Sequence, residues 1–180
     1  MDSVTPPIAL LPATEQASLL RNKELSSREL LDAYVARIER LNPSVNAVVT
    51  LDVDRAHDRA AAADDATARG VSWGPLHGVP ITIKDALAVA GIRSTGGAPE
   101  LADYVPTRSA PTVARLRNAG AIVFGKTNVP KWSLDYVTTN EVFGTTGNPW
   151  HAGHVPGGSS GGAAFQSPNE CDPSVSKRTT

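Results

Sequence analysis

The sequence feature that most constrains the fold is a helix pattern followed directly by a short, wholly apolar run. Apolar residues at helical spacing, Val113, Leu116 and Ala119, predict a helix. Ser109 or Thr112, together with Pro111, can start it. Gly120 ends it, and the next residues, Ala121 to Phe124, are all apolar. A strand without a polar face is covered on both sides, which indicates an α/β fold.

Two more helices precede this unit. Ser26-Ser27-Arg28-Glu29 has the pattern of a capping box. It predicts an amphipathic helix that ends at Pro43 and whose apolar face consists of Leu30, Leu31, Tyr34, Val35, Ile38 and Leu41. After a β-type run from Asn46 to Leu51, an alanine-rich and charged helix is predicted from about Asp52 to Arg69, closed by Gly70. Its composition predicts a largely exposed helix.

A second strand is predicted from Gly78 to Asp85. Its β-branched residues suit a partly buried strand with Val79, Ile81 and Ile83 on one side. Lys84 lies where this strand ends. Residues 138 to 156 are rich in Thr, Asn, Gly and Pro, which predicts a long loop. It leads into Pro156-Gly-Gly-Ser-Ser-Gly-Gly-Ala-Ala164 and a helix over 161–164.

The composition is typical of a globular chain and identifies no partner. Hydrophobic residues make up 41%, charged residues 19%, and the net charge of -1 gives no basic surface for nucleic acid or an anionic membrane. No apolar run is long enough to span a bilayer, and no basic region precedes the short apolar stretch at the N-terminus. With a single cysteine, Cys171, the expected location is the cytoplasm.

The segment from Gly120 to Thr127 satisfies the phosphate-loop pattern GxxxxGK[ST]. A phosphate loop needs a flexible middle and a following helix, whereas here the middle is the predicted strand and Pro130 interrupts the residues after Thr127. We therefore interpret Gly120 as a helix cap and Gly125-Lys126-Thr127 as the turn that leaves the strand. No nucleotide cofactor is predicted.

A metal site is not predicted either. The histidines are His57, His77, His151 and His154, and only the last two are close in sequence. They lie on a proline-bounded loop without a nearby Cys, Asp or Glu, so we interpret them as solvated side chains.

Four ordered motifs together resemble the amidase signature family: Gly78-Val-Pro-Ile-Thr-Ile-Lys-Asp85, Ala119-Gly-Ala-Ile-Val-Phe-Gly-Lys-Thr-Asn128, Asn148-Pro-Trp150 and Pro156-Gly-Gly-Ser-Ser-Gly-Gly162. The resemblance covers roughly residues 10 to 164. It implies the N-terminal part of the family's α/β fold, a mixed sheet with helices on both faces. We accordingly predict an incomplete amidase domain over residues 1–164 and an irregular tail over 165–180.

The resemblance also implies a Ser-Ser-Lys mechanism for cleaving a carboxylic amide C–N bond. Lys84 matches the family's base and Ser159 its bridging serine, which lies in a cis peptide. Ser160 and the glycines at 157, 158, 161 and 162 are expected to support the site, since glycine permits tight turns. A lysine acts as a base only when neutral, which requires a pKa lowered by burial. Asp85 is predicted to be a structural or charge partner.

The acyl-accepting serine is expected roughly two dozen residues beyond Ser159, in a segment of the Asp-Ile-Gly-Gly-Ser type that also supplies oxyanion donors. Nothing from Phe165 to Thr180 resembles it, and the serines there (Ser167, Ser174 and Ser176) lack flanking glycines. We therefore expect this chain to lack the nucleophile and to be catalytically incompetent alone. Strands such as Ala121 to Phe124 are also expected to lack some of their neighbours. The sequence pattern of the family is lost abruptly after about Ala164. A natural truncation, a frameshift and a misread junction all predict this loss.

Two alternatives stay open at the level of sequence. The chain could belong to the amidase subunit of a glutamyl-tRNA(Gln) amidotransferase, whose glutamine hydrolysis depends on partner subunits. It could instead be a non-catalytic binding or regulatory remnant, which requires a stable fold and a reproducible partner. In the main hypothesis, the full-length parent protein has a small-molecule amide as substrate, with no direct contact to nucleic acid or membrane.

Overall fold

The fold is built on a mixed three-stranded sheet with the strand order β1-β3-β2. The computed structural model describes residues 7–151 and 153–164. In it, β1 spans Val48–Leu51, β2 spans Pro80–Lys84 and β3 spans Ile122–Thr127. The central strand β3 is antiparallel to β1 and parallel to β2. The expected α/β architecture with a mixed sheet is confirmed.

The helices follow the sequence pattern closely. They are α1 (Ala13–Arg21), α2 (Ser27–Val45), α3 (Val53–Ala68), α4 (Pro111–Asn118) and α5 (Gly161–Ala164). Three single 3₁₀ turns lie at Ile8–Leu10, Pro99–Leu101 and Lys131–Ser133. The long loop contains a small hairpin of β4 (Thr139–Asn140) and β5 (Gly144–Thr145), which its polar composition did not predict.

Both faces of the sheet are covered by helices. Ile122 and Phe124 of β3 belong to a buried cluster with residues of α2 and α3. Val123 points the other way, into a cluster that contains Ile83 of β2 and Val113 of α4. The alternation of side chains along a strand therefore explains why every residue of this run is apolar.

Helix α3 is less exposed than its composition suggests. Its alanines at positions 56, 60, 63 and 66 are all buried, and the first three belong to the cluster shared with α2 and β3. Because these positions recur at helical spacing, they form one stripe whose small side chains allow close packing. The prediction of a largely exposed helix is wrong for this stripe.

Helix α2 also differs from the prediction, because it continues through Pro43 to Val45. Proline lacks the N–H that would bond to the preceding turn, but one missing bond in a last turn does not stop a helix. The helix instead ends at Asn46, which has a left-handed conformation (φ 51°) and donates its N–H to Asn42 O at 2.7 Å.

Strand β3 is longer than predicted, since Gly125, Lys126 and Thr127 continue it rather than forming a turn. Residues 125–127 pair with β1 on one side and with β2 on the other. Within the described residues, the register of β1 therefore covers only the second half of β3, whereas Ile122 and Val123 pair in register with β2 alone. No helix within the described residues is both long and apolar enough to cross a membrane.

The capping box at the start of α2 is confirmed. Ser26 Oγ accepts a hydrogen bond from the Glu29 N–H, and Glu29 accepts one from the Ser26 N–H. We expect Ser26→Ala to lower the free energy of unfolding by about 1 kcal/mol, because an N-terminal N–H loses its partner. Urea denaturation of the whole protein measures this. Ser44→Ala, in the last turn of the same helix, is the matched control, and an equal loss there would contradict a capping role for Ser26.

Candidate functional site

The candidate site joins the end of β2 to the glycine-serine segment. Lys84, the last residue of β2, donates from Nζ to Ser159 Oγ at 2.7 Å and to Ser160 Oγ at 3.2 Å. The lysine is half-buried, and this burial lowers its pKa from the ordinary value. The structure therefore brings together the predicted lysine and both predicted serines.

The backbone around Ser159 has the conformation that the resemblance implies. The peptide bond between Gly158 and Ser159 is cis, and Gly157 has a φ of 92°, in the region that favours glycine. A side chain on Gly158 would lie 2.7 Å from the carbonyl oxygen of Asp135. The backbone conformation thus favours glycine at position 157, and close packing requires it at position 158.

The second glycine pair packs the segment against the rest of the fold. Gly161 and Gly162 are buried in α5. A Cβ on Gly162 would lie 2.4 Å from the Asn128 nitrogen, and a Cβ on Gly161 would lie 2.5 Å from Thr138 Oγ1. All four predicted supporting glycines therefore lie at the site, each with a local backbone or packing reason.

Thr138 forms hydrogen bonds to the glycine-serine segment on both sides of the two serines, and this role was not predicted from the sequence. Its Oγ1 donates to the carbonyl oxygen of Gly157 at 2.9 Å and accepts from the Gly161 N–H at 3.0 Å. The residue is fully buried. A threonine in a polar loop gave no signal for this role, because its two partners lie far along the chain.

Asn128 is another residue that the sequence did not single out. It follows β3 directly, is fully buried, and donates from Nδ2 to Gly144 O and Thr146 Oγ1 at 3.2 and 3.0 Å. Its Oδ1 accepts from Asn140 Nδ2 at 2.7 Å. Asn128 is the last residue of the motif Ala119 to Asn128. A buried amide side chain needs hydrogen-bond partners, and here its bonds connect the end of β3 to the hairpin loop.

Asp85 lies next to Lys84 but does not contact the serines in any observed hydrogen bond. It forms a buried ion pair with Lys126 of β3, with 3.2 Å between Oδ1 and Nζ. Burial lowers the pKa of Lys126, and the neighbouring Asp85 carboxylate opposes this shift. The prediction that Asp85 is a charge partner agrees with this pair, although the sequence did not identify Lys126 as its partner.

The phosphate-loop pattern does not fold as a phosphate loop. Gly125, Lys126 and Thr127 lie within β3. The next helical turn is the 3₁₀ turn Lys131–Ser133, in which Trp132 has a left-handed φ of 56°. Since Lys126 points into a buried ion pair, its ammonium is not available to a phosphate group.

The histidines have separate surroundings. The rings of His151 and His154 contact each other with centroids 4.0 Å apart. His77 is buried between Thr67, Trp73 and the Ala63 carbonyl. Across residues 7–151 and 153–164, no group of three or more His, Cys, Asp or Glu side chains could hold a metal ion. Cys171 lies outside the described residues.

The chemistry available to the cluster is proton transfer. A neutral amine accepts a proton from a hydroxyl at hydrogen-bond distance, and the Lys84–Ser159 separation meets that condition. A hydroxyl so placed can in turn take a proton from a second hydroxyl, which becomes a nucleophile. The cluster thus has the geometry for relaying a proton from a hydroxyl group to an amine.

Comparison with known proteins identifies relatives of one kind. A family model described as Amidase matches residues 29–165. The chain is 43% identical over 145 residues to a subunit of the glutamyl-tRNA(Gln) amidotransferase of Synechococcus sp. (strain CC9605), a match that covers 81% of this chain and 30% of the relative. It is also 43% identical over 154 residues to an acylamidase of Rhodococcus erythropolis, with 86% and 32% covered.

The solved structures agree with these sequence matches. A bacterial aryl acylamidase of the amidase signature enzymes superposes with a TM-score of 0.83 at 34% identity, over 88% of this chain and 34% of the other. The chain therefore spans about 30% of the length of the relatives that it matches.

Proposed function

Since the chain belongs to the amidase family, we propose that Lys84 and Ser159 form the base and the proton relay of an amide hydrolase. The observation that carries this proposal is the 2.7 Å hydrogen bond from Lys84 Nζ to Ser159 Oγ, made by a lysine whose pKa is lowered by burial. The proposed substrate is a small-molecule carboxylic amide, and the proposed location is the cytoplasm.

The proposed reaction proceeds through an acyl-serine. Neutral Lys84 takes the proton of Ser159 Oγ, while Ser159 takes the proton of a nucleophilic serine that attacks the amide carbonyl carbon. The C–N bond then breaks, and the leaving nitrogen receives a proton back through Ser159. Water hydrolyses the acyl-serine to a carboxylic acid. We assign the nucleophile to a serine of the full-length parent protein, in the glycine-rich segment that the family resemblance implies and that the sequence from Phe165 to Thr180 does not contain. The kinetic tests below use that parent protein as the whole protein, because this chain alone is expected to be inactive.

Ser160 has a supporting role in this proposal. Its Oγ lies 3.2 Å from Lys84 Nζ, compared with 2.7 Å for Ser159, and it directly precedes α5. A second acceptor for the lysine stabilises the ammonium that forms after proton transfer. The neighbouring glycines hold both serines in place.

The two serines give the test of the proposal. We expect Ser159→Ala to lower kcat/KM of the whole protein by about 10²- to 10³-fold, because the proton path is interrupted. Ser160→Ala is expected to cost only about 10-fold, since it removes one hydrogen bond to an ionised group. Release of ammonia or amine from simple aliphatic and aryl amides is the measurement. Equal rates for Ser159→Ala and the wild type would contradict the proposal.

The relatives suggest two substrate classes. They can be distinguished by whether hydrolysis of the substrate requires partner subunits. One relative is named for glutamyl-tRNA(Gln) amidotransferase and the other for acylamidase, at the same 43% identity. A free-standing amidase hydrolyses simple amides alone, whereas an amidotransferase subunit is expected to release ammonia from glutamine only with its partners and charged tRNA. Equal identity favours neither, and the simple-amide assay comes first because it needs no partner.

A further inference from the structure

Lys126 is a second lysine near the candidate site, and it is fully buried. Its Nζ donates to Asp85 Oδ1 at 3.2 Å, to the Leu87 carbonyl oxygen at 3.0 Å and to Ser94 Oγ at 2.7 Å. An ammonium carries three N–H donors, so each of them has an acceptor. The side chain therefore ties β3 to the two loop segments that follow β2.

Asp85 is held just as completely. Its Oδ2 accepts from the Thr95 N–H at 3.0 Å and from Thr95 Oγ1 at 2.6 Å. Its backbone N–H donates to the Thr127 carbonyl at 2.9 Å, and its carbonyl accepts from the Gly96 N–H at 3.3 Å. The residue that directly follows Lys84 is thus fixed through both its side chain and its backbone.

A buried ion pair needs an explanation other than stability. Removing two charges from water costs free energy that their attraction seldom repays in full, and apolar replacements are often as stable. Here the pair joins β3 to the turn after β2, beside the residue that contacts Ser159. Because consecutive side chains at a strand end point to opposite sides, Asp85 can fix the Lys84 backbone without contacting its amine.

From this geometry we infer that the Asp85–Lys126 ion pair, together with Thr95, acts as a positioning element for Lys84. It sets where the lysine leaves the strand and therefore where Nζ meets Ser159 Oγ. This inference deepens the proposed function and rests on it for the role of Lys84. A displacement of about 1 Å at a reacting group can lower a rate about 100-fold, so such an element has a kinetic consequence.

The test uses the double variant Asp85→Asn/Lys126→Met in the whole protein. It removes one negative and one positive charge together, so the net charge of the region is unchanged and no buried charge is left alone. We expect the urea midpoint to stay close to that of the wild type, while kcat falls about 10- to 100-fold with KM little changed. The control Gln16→Leu removes four observed hydrogen bonds of a buried side chain elsewhere, and it should lower stability without lowering kcat.

A spectroscopic readout separates this inference from the proposed function. In protein labelled with ¹³C at lysine Cε, the Lys84 signal is assigned by its loss in Lys84→Arg and titrated with pH. We expect its midpoint to rise towards the ordinary lysine value in the folded double variant, because a displaced amine regains water. An unchanged midpoint overturns the inference, whether or not the protein hydrolyses amides. A wild type that hydrolyses no amide overturns the proposed function and leaves the titration result standing.

Thr95 supplies a second, milder pair of variants. Thr95→Val keeps the shape but removes the hydroxyl that donates to Asp85, whereas Thr95→Ser keeps that hydroxyl. We expect Thr95→Val to raise the Lys84 midpoint and Thr95→Ser to restore the wild-type value. If both variants titrate like the wild type, Thr95 has no part in positioning the lysine and the inference fails for that contact.

Discussion

Replacing Lys84 by methionine in the whole protein is expected to lower kcat/KM for an amide substrate by about 10³- to 10⁴-fold, because the proton path loses its base. Methionine keeps the apolar stem of the side chain, so the end of β2 should remain packed. Amine release measured with the wild type and the variant gives the ratio. A variant that retains more than a tenth of the wild-type activity would contradict the assignment of Lys84 as the base.

The pH profile tests the same assignment. Burial lowers the pKa of Lys84, and only its neutral form accepts a proton. The value of kcat/KM should therefore rise with pH as Lys84 loses its proton, with a midpoint below the ordinary lysine value of about 10.4. This rise should be missing in Lys84→Met. Lys23→Met, which removes an exposed lysine, is the control and should keep both the rate and the profile.

Replacing Gly162 by alanine is expected to lower the free energy of unfolding by about 3 kcal/mol, the upper part of the range for overpacking a core. The new Cβ would lie 2.4 Å from the Asn128 nitrogen and 2.7 Å from the Ala47 carbonyl oxygen. These two atoms form a hydrogen bond of 2.9 Å, so the methyl group would disrupt a backbone contact that cannot move aside. Urea denaturation of the whole protein measures the loss.

Gly157→Ala is the matched control within the same motif. Gly157 has a φ of 92° but no atom within 4 Å of a Cβ placed there. Its substitution should cost only the conformational strain of about 1 to 2 kcal/mol. A larger loss at position 157 than at position 162 would show that backbone conformation, rather than packing, determines glycine use in this segment.

Local signals predicted most of the secondary structure. Three predicted features depend only on residues that are close in sequence, and the structure confirms each of them. They are the capping box of α2, the glycine that follows α3 and the end of β2 at Lys84. The errors have a tertiary origin. The alanine stripe of α3 is buried because α2 and β3 pack against it, a partnership that the helix sequence alone does not encode.

Lys126 shows the same limit within the site region. A charged residue after an apolar run is typical of a turn, which is the structure that the sequence pattern predicts for Lys126. It remains in the strand because Asp85, 41 residues away in sequence, provides a buried counter-charge. The resemblance to a family identified Lys84 and Ser159, whereas Thr138 and Lys126 depend on contacts that only the folded chain reveals.

The separation of Lys84 from Ser159 has a consequence for folding order. The two residues are 75 positions apart, so their hydrogen bond closes a long loop, whose entropic cost grows with its length. Helices α2 and α3 are adjacent in sequence and can pair early, while this contact awaits the sheet and the glycine-serine segment. Until the loop closes, Lys84 is an ordinary hydrated amine. We therefore expect the chain to acquire its fold first, and the burial that lowers the pKa of Lys84 to come last.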